Sequence, residues 1–330
     1  MLIKIIQTGA NPVVAAAAVN IMSTETYLPF AFFEGKIIPT ELAKVSIMTN
    51  ALQYGNAVFG GIRGYQANNK KNYYIFRIED HYRRLMSSLK ILNQKIPYNL
   101  DFLVKTTVGL AEKNLPKSDF YIRPISYAAN YEISPDLSKV NFDFAIYMIP
   151  LGEYLPVNKG LKLMISNWVR INDNMIPARG KVSGGYINSS LAKGDAARLG
   201  FDDALLIGND GHLTEASSAN FFMVRDGYLI TSPKYADVLE GVTRRTILQL
   251  AHDLGIAAVE RMIDRTEVYI ADEAFLTGTG AQLAWIAEID GRVIGNGKIG
   301  PISAKIQKLF FNIVRGNEKK YSSWLTPVKV

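Results

Sequence analysis

The hydrophobic patterning of this chain is interrupted most sharply at Pro150-Leu151-Gly152-Glu153-Tyr154-Leu155-Pro156, with Asn158-Lys159-Gly160 following at once. Proline fixes φ and lacks an N–H, and glycine frees the backbone, so this stretch punctuates the chain rather than extending a strand or helix. It divides 330 residues into two parts, each of a size that one hydrophobic core can serve. The expected organisation is a loose leader over 1–25, a small α+β domain over 26–150, a linker over 151–160 and a larger domain over 161–330. The leader is uncharged from Ile5 to Thr24, but Gln7, Gly9, Asn11 and Pro12 break its apolar run. It therefore reads neither as a signal peptide nor as a membrane span, and a cytoplasmic protein is expected.

Within the first part, short β-rich runs (Tyr73 to Phe76, Phe120 to Ile122, Phe142 to Ile149) alternate with helical stretches. Ile78, Tyr82, Leu85, Leu89 and Leu92 recur at steps of four and three, which predicts a helix with His81, Arg84 and Ser88 beside its buried seam. The second part mixes β runs at 161–166, 203–208, 219–225 and 273–277 with helices near 187–199, 242–255 and 301–315. Asn209-Asp210-Gly211 signals a hairpin, and Asp264 with Glu267 resembles a capping box. Strands and helices mingle without the regular alternation of a parallel sheet, so the expected class is α+β.

Composition narrows the chemistry. The chain has no cysteine and only three histidines, His81, His212 and His252, far apart and without metal-ligand spacing. Disulfides, thiolate metal sites and cysteine nucleophiles are excluded, and a histidine-driven hydrolase has little to work with. The net charge of +7 is spread along the chain without a basic block, which argues against nucleic acid and leaves room for anionic small ligands. Chemistry, if the chain performs any, must come from Lys, Tyr, Arg, Thr and carboxylates, or from a cofactor.

Gly295-Asn296-Gly297-Lys298-Ile299-Gly300 matches G-x-G-x-x-G, but Pro301 follows and too little chain remains for a nucleotide-binding half. It reads as a loop before the last helix. In Ile176 to Tyr186, Lys181 stands between Gly180 and Gly184-Gly185. Such a lysine is either solvated or, in a tight apolar loop, able to lose its proton and act as a nucleophile. Glu215, set among small residues, either faces water or is buried and needs a cationic or protonic partner. Gly241-Val242-Thr243 opens a helix, which suits simple capping or an anion site. Thr277-Gly278-Thr279-Gly280-Ala281 suits either a turn or an anion-binding nest.

Taken together and in order, these motifs resemble the fold-type IV pyridoxal-phosphate-dependent aminotransferases, most closely the branched-chain amino-acid aminotransferases. The likeness runs from about Phe30 to Leu325. It also rests on Tyr54-Gly55-Asn56-Ala57-Val58-Phe59-Gly60-Gly61-Ile62-Arg63, on Phe76-Arg77 through His81 to Arg84-Leu85, and on Tyr121-Ile122-Arg123-Pro124. The resemblance implies a two-domain fold with the active site between the domains, pyridoxal 5′-phosphate as cofactor, and a homodimer as the smallest working unit. It implies that Lys181 holds the cofactor and moves the substrate's α-proton, that Glu215 meets the pyridine nitrogen and that Tyr186 meets the ring hydroxyl. Arg84, Gly241, Val242, Thr243 and Thr279 would hold the phosphate, and Leu239 would pack on the ring. Tyr54, Phe59, Gly61, Arg63, Tyr121, Arg123, Tyr154, Thr279 and Gly280 would surround the substrate, with Tyr54 coming from the neighbouring subunit. The reaction so implied transfers the amino group of leucine, isoleucine or valine to 2-oxoglutarate. D-amino-acid and (R)-amine aminotransferases and aminodeoxychorismate lyase share the fold; Tyr121 and Arg123 favour the L-substrate. Leu151, where the bacterial enzymes often carry tryptophan, Gly60 in place of a frequent glutamate, and the unusual Tyr127 to Ile133 stretch bear on side-chain preference alone.

Overall fold

The structure, a computed structural model, describes residues 26–152, 155 and 158–329. The expected leader therefore lies wholly outside the described residues, as does Tyr154. The first part of the chain forms β1 (Phe30–Phe33), β2 (Lys36–Pro39), α1 (Asn50–Tyr54), β3 (Val58–Phe59), β4 (Ile62–Gln66), β5 (Tyr73–Phe76), α2 (Ile78–Ile91), α3 (Leu100–Asn114), β6 (Phe120–Ala128) and β7 (Phe142–Pro150). The second forms β8 (Leu161–Val169), α4 (Tyr186–Arg198), β9 (Asp203–Ile207), β10 (Leu213–Ala216), β11 (Asn220–Arg225), β12 (Tyr228–Thr231), α5 (Val242–Asp253), β13 (Ala258–Glu260), β14 (Glu273–Gly278), β15 (Gln282–Ile289), β16 (Arg292–Val293), α6 (Pro301–Val314) and β17 (Leu325–Val328).

The first sheet has the order β17-β5-β4-β6-β7-β1-β2, with β3 alongside β6, and every pairing is antiparallel. One face is closed by α2 and α3. Ile78, Tyr82, Leu85 and Leu89 from α2, and Leu103 and Leu110 from α3, are buried against Ile62, Ile75, Phe120, Ile122, Phe144 and Ile146. Strand alternation then does the positioning. Phe120 and Ile122 point into this core, so Tyr121 and Arg123 between them project from the opposite face.

The second sheet has the order β10-β9-β8-β15-β14-β11-β12-β13, with β16 beside β15, and mixes antiparallel pairs with the parallel pairs β8–β9, β8–β15 and β12–β13. The β9–β10 hairpin closes through the Gly208 N–H to the His212 carbonyl (2.8 Å), and Gly211 takes φ +86°. A third apolar cluster joins the halves, packing Tyr65 and Phe76 of the first sheet with Phe222, Phe275 and Phe310.

Two local expectations change. Asp264 and Glu267 do not form a capping box. The short 3-10 turn Glu267–Ile270 has no side-chain cap, and the Glu267 carboxylate accepts from Arg225 (3.0 Å) and Arg261 (2.8 Å). Charge-assisted bonds to two guanidinium groups outweigh one backbone N–H. The last strand, β17, leaves the second half and pairs with β5, so Leu325–Val328 belongs to the first sheet and not to the domain expected over 161–330. It covers the edge that β5 would otherwise present, and Trp324 packs on Phe76 and under the Arg77 guanidinium (4.6 Å to the ring centroid). The G-x-G-x-x-G stretch is a turn ahead of α6, whose first N–H groups are satisfied by Glu273 through Ile302 (3.0 Å) and Ser303 (2.7 Å).

Candidate active site

A cavity of about 450 Å³ lies between the two halves. The loop carrying Lys181 forms one of its walls, and it is held by the first half of the chain as much as by its own. Phe59 N–H donates to the Lys181 carbonyl (3.0 Å), Ser183 N–H to Ala57 (2.8 Å) and Gly184 N–H to Gly55 (2.7 Å). Lys181 N–H in turn donates to Ser88 Oγ on α2 (3.1 Å). Glycine is required where these segments meet: Gly55 sits at φ +63°, and a Cβ on it would stand 2.9 Å from Gly184 Cα. The Lys181 ammonium is 4.9 Å from the Phe59 ring centre and 4.7 Å from that of Tyr186, and it donates to the Tyr186 hydroxyl. Burial, helped by the Arg84 charge, brings the Lys181 amine down to about 7. Burial lifts the Tyr186 phenol to about 12, so it remains a hydrogen-bonding phenol at neutral pH.

Glu215, on β10, is 5% exposed. Burial raises its carboxyl above the ordinary value, and the strongest opposing influence is Arg170. The Arg170 guanidinium donates to Glu215 Oε1 at 2.7 Å; Asn220 Nδ2 (2.7 Å) and the Leu239 N–H (3.2 Å) donate to Oε2. A carboxylate has about four lone-pair sites, so three donors leave one acceptor position open, and Glu215 borders the cavity.

The same cavity is bordered by groups suited to an anion. Helix α5 begins behind Gly241 with no side-chain cap, and Val242 and Thr243 of its first turn are buried at the cavity wall. The free N–H groups and the helix dipole both favour negative charge there. Arg84, lined up by α2 at the same cavity, has its own charge disfavoured by burial. Helices α2 and α5 are tied together outside the cavity by Arg77 to Thr246 (2.8 Å) and Arg245 to Asp80 (3.4 Å).

At the third end, Arg123 lies over the Phe59 ring (4.6 Å to its centre) and donates to the Tyr121 hydroxyl (3.1 Å), while its buried Nε has no partner. The Thr279 hydroxyl donates to the Gly61 carbonyl (3.1 Å), and a Cβ at Gly61 would collide with the Tyr121 hydroxyl.

Thus Phe59, Gly61, Arg84, Tyr121, Arg123, Lys181, Tyr186, Glu215, Leu239, Gly241, Val242, Thr243, Thr279 and Gly280, all singled out in the sequence, border one cavity. Tyr54 does not: it ends α1 and is 39% exposed on the surface of its own chain. Arg63, expected at the substrate, lies behind the lining at 2% exposure, because backbone carbonyls of Leu151, Gly152 and Gly280 take up its guanidinium. Sequence reading missed Arg170, Asn220 and Ser88's bond to the lysine loop. The demand of a buried Glu215 for a cation was legible, but not which arginine meets it. Among the described residues, no cluster of three or more His, Asp or Glu is placed to hold a metal ion, and no helix is long and apolar enough to cross a membrane.

Residues 57–289 match the family described as amino-transferase class IV. The chain is 43% identical over 302 residues to a probable branched-chain-amino-acid aminotransferase of Aquifex aeolicus, covering 91% of this chain and 97% of that one. Its fold is similar to the branched-chain aminotransferase of Thermoproteus uzoniensis determined with norvaline, with a TM-score of 0.88, 41% identity and coverage of 91% and 99%. It is equally similar to the PLP-form of the branched-chain amino acid aminotransferase of Thermobaculum terrenum, with a TM-score of 0.88, 36% identity and coverage of 92% and 100%.

Proposed function

The chain belongs to the class IV aminotransferases, and on that premise we propose that it moves the amino group of leucine, isoleucine or valine to 2-oxoglutarate, using pyridoxal 5′-phosphate. One observation carries the reading. A single cavity holds an amine whose proton affinity is tuned to neutral pH, a buried carboxylate with an open acceptor position, and an uncapped helix N-terminus beside an arginine. These are the three demands of a phosphorylated pyridine aldehyde: an amine for its carbonyl, an acceptor for its ring N–H, and a cradle for its phosphate. The donor set fits the group.

When bound, pyridoxal phosphate supplies an electrophilic carbon for amines and a ring that takes up the electron pair left at the substrate α-carbon. The residues do the rest. Lys181, neutral in a large fraction of molecules near pH 7, is nucleophile first and then base, taking and returning the proton at the substrate α-carbon. Tyr186 orients Lys181 Nζ and would meet the ring hydroxyl. Glu215, paired with Arg170, would accept from the ring nitrogen and keep it protonated. Arg84, Gly241, Val242, Thr243 and Thr279 would hold the phosphate, and Leu239 would pack on the ring.

Tyr121 and the Thr279–Gly280 backbone receive the α-carboxylate. Phe59, Gly61 and Leu151 offer the apolar surface that an aliphatic side chain needs. Glutamate's second carboxylate goes to Arg123, whose buried Nε lacks a partner, and to Tyr54 of the partner subunit. A homodimer is part of the proposal. Leu42, Ile47, Met48 and Leu52, all at least half exposed, precede Tyr54 in sequence and offer apolar surface that a second copy would cover. The test is a donor panel with 2-oxoglutarate as acceptor: leucine, isoleucine and valine should outrun D-alanine and (R)-phenylethylamine. Preference for the D or (R) donors would overturn the substrate assignment, and Arg123→Met should impair 2-oxoglutarate more than 4-methyl-2-oxopentanoate.

A further inference from the structure

Arg63 stands on β4, just behind the cavity, and makes an unusual set of contacts for a buried cation. Its guanidinium donates to the carbonyls of Leu151 (3.0 Å), Gly152 (2.5 Å) and Gly280 (3.3 Å). With its amide oxygen turned inward, Gln282 accepts from Arg63 as well, at 2.9 Å. The charge is balanced at 3.8 Å by Asp119, which is itself gripped at both oxygens by Arg315 (2.5 and 2.8 Å).

Three segments therefore converge on one side chain: β4, the linker at 151–152, and the turn at 278–282. The turn is held twice from the same stretch of chain, by Thr279 on the Gly61 carbonyl and by Arg63 on the Gly280 carbonyl. It is also held against local preference, since Gln282 sits at φ +57°, a region unfavourable for a residue with a Cβ. Leu151 and Gly280 both border the cavity. With Arg63 drawing their carbonyls away, those oxygens do not confront an incoming carboxylate, and they are not left unpaired.

We propose that Arg63 is a positioning residue for the carboxylate end of the substrate cavity, fixing the linker and the 278–282 turn relative to each other without touching substrate. This rests on the aminotransferase reading above, and it moves Arg63 from a contact residue to one that acts through Gly280 and Leu151.

The test compares the unaltered protein with R63M and R63K in three measurements: the dissociation constant of pyridoxal phosphate, that of 4-methylvalerate (leucine's skeleton without its amino group), and kcat and KM for leucine. R63M should weaken 4-methylvalerate and raise the leucine KM by about tenfold or more, with a smaller change in kcat and no change in cofactor affinity. R63K keeps the charge but not the planar fork, and should fall between the two. Unchanged 4-methylvalerate affinity in both variants would overturn the proposal. So would a parallel loss of cofactor and carboxylate binding with a lowered Tm in R63K, which would mark Arg63 as structural only. An unaltered protein that binds neither pyridoxal phosphate nor 4-methylvalerate would instead sink the parent reading.

Discussion

Arg170 and Glu215 form an ion pair of 2.7 Å, with side chains only 8% and 6% exposed, in the lining of the cavity. Breaking one partner of a buried pair leaves an uncompensated charge, so Arg170→Met should destabilise the protein by about 3–5 kcal/mol. Burial already places the Glu215 carboxyl above its usual value, and Arg170 is the main influence pulling it back. Without Arg170 the folded-state pKa rises further. The variant's Glu215 then ionises only as pH increases further, and its residual activity should climb with pH over a higher range than that of the unaltered protein. Stability should run the other way, greatest at low pH and falling as pH passes through the raised pKa. pH–rate profiles and chemical denaturation of both proteins check this; parallel profiles would refute it.

The Lys181 amine, brought down to about 7 from the ordinary 10.5, should be the first lysine to react in the cofactor-free protein. Limiting amine-acylating reagent, followed by peptide mapping, should show Lys181 modification rising with a midpoint near pH 7. Since the unfolded chain holds this proton up to about 10.5, the folded state is penalised below pH 7, and stability from this group rises between those values. A Lys181 midpoint indistinguishable from that of surface lysines would contradict the account.

Ser88 Oγ accepts the backbone N–H of Lys181 and is itself buried. Ser88→Ala should cost about 1–3 kcal/mol, because the lysine's amide loses its acceptor. It should also lower kcat more than it alters cofactor affinity, because the loop carrying the amine is loosened while the phosphate cradle stays intact. Equilibrium unfolding and cofactor titration separate the two effects.

At the head of α5, a Cβ on Gly241 would strike Asn220 Oδ1, and Asn220 holds both Glu215 and the Leu239 carbonyl. Gly241→Ala should weaken pyridoxal phosphate binding by about tenfold or more, with a stability loss of about 1–3 kcal/mol from overpacking. Titration of the cofactor-free variant, read by absorbance, tests the first; thermal unfolding tests the second.

Much of the fold and the site could be read from residues alone where a local rule decides the outcome. The period of Ile78, Tyr82, Leu85 and Leu89 placed α2 and, with it, Arg84 and Ser88 beside the buried seam. The glycines around Lys181 permit close backbone approach, but only the fold reveals that Gly184 meets Gly55 across the two halves. What escaped was decided by long-range competition. Nothing local tells that Glu267 would be captured by Arg225 and Arg261, that β17 would return to the first sheet, or that Arg170 rather than another arginine would meet Glu215. Arg63 shows the same limit, since its motif marks it as important while only the fold reveals that three carbonyls occupy it.

The central claim is that Lys181 is the amine that holds and serves pyridoxal phosphate in the cavity between the two halves. The direct measurement is borohydride reduction of the loaded protein followed by peptide mass mapping, alongside Lys181→Ala. The account predicts a pyridoxyl label on Lys181, and a Lys181→Ala protein that folds, takes no label in the cavity and has no transaminase activity. A label distributed over surface lysines, or a Lys181→Ala protein that still transaminates leucine with 2-oxoglutarate, would contradict it.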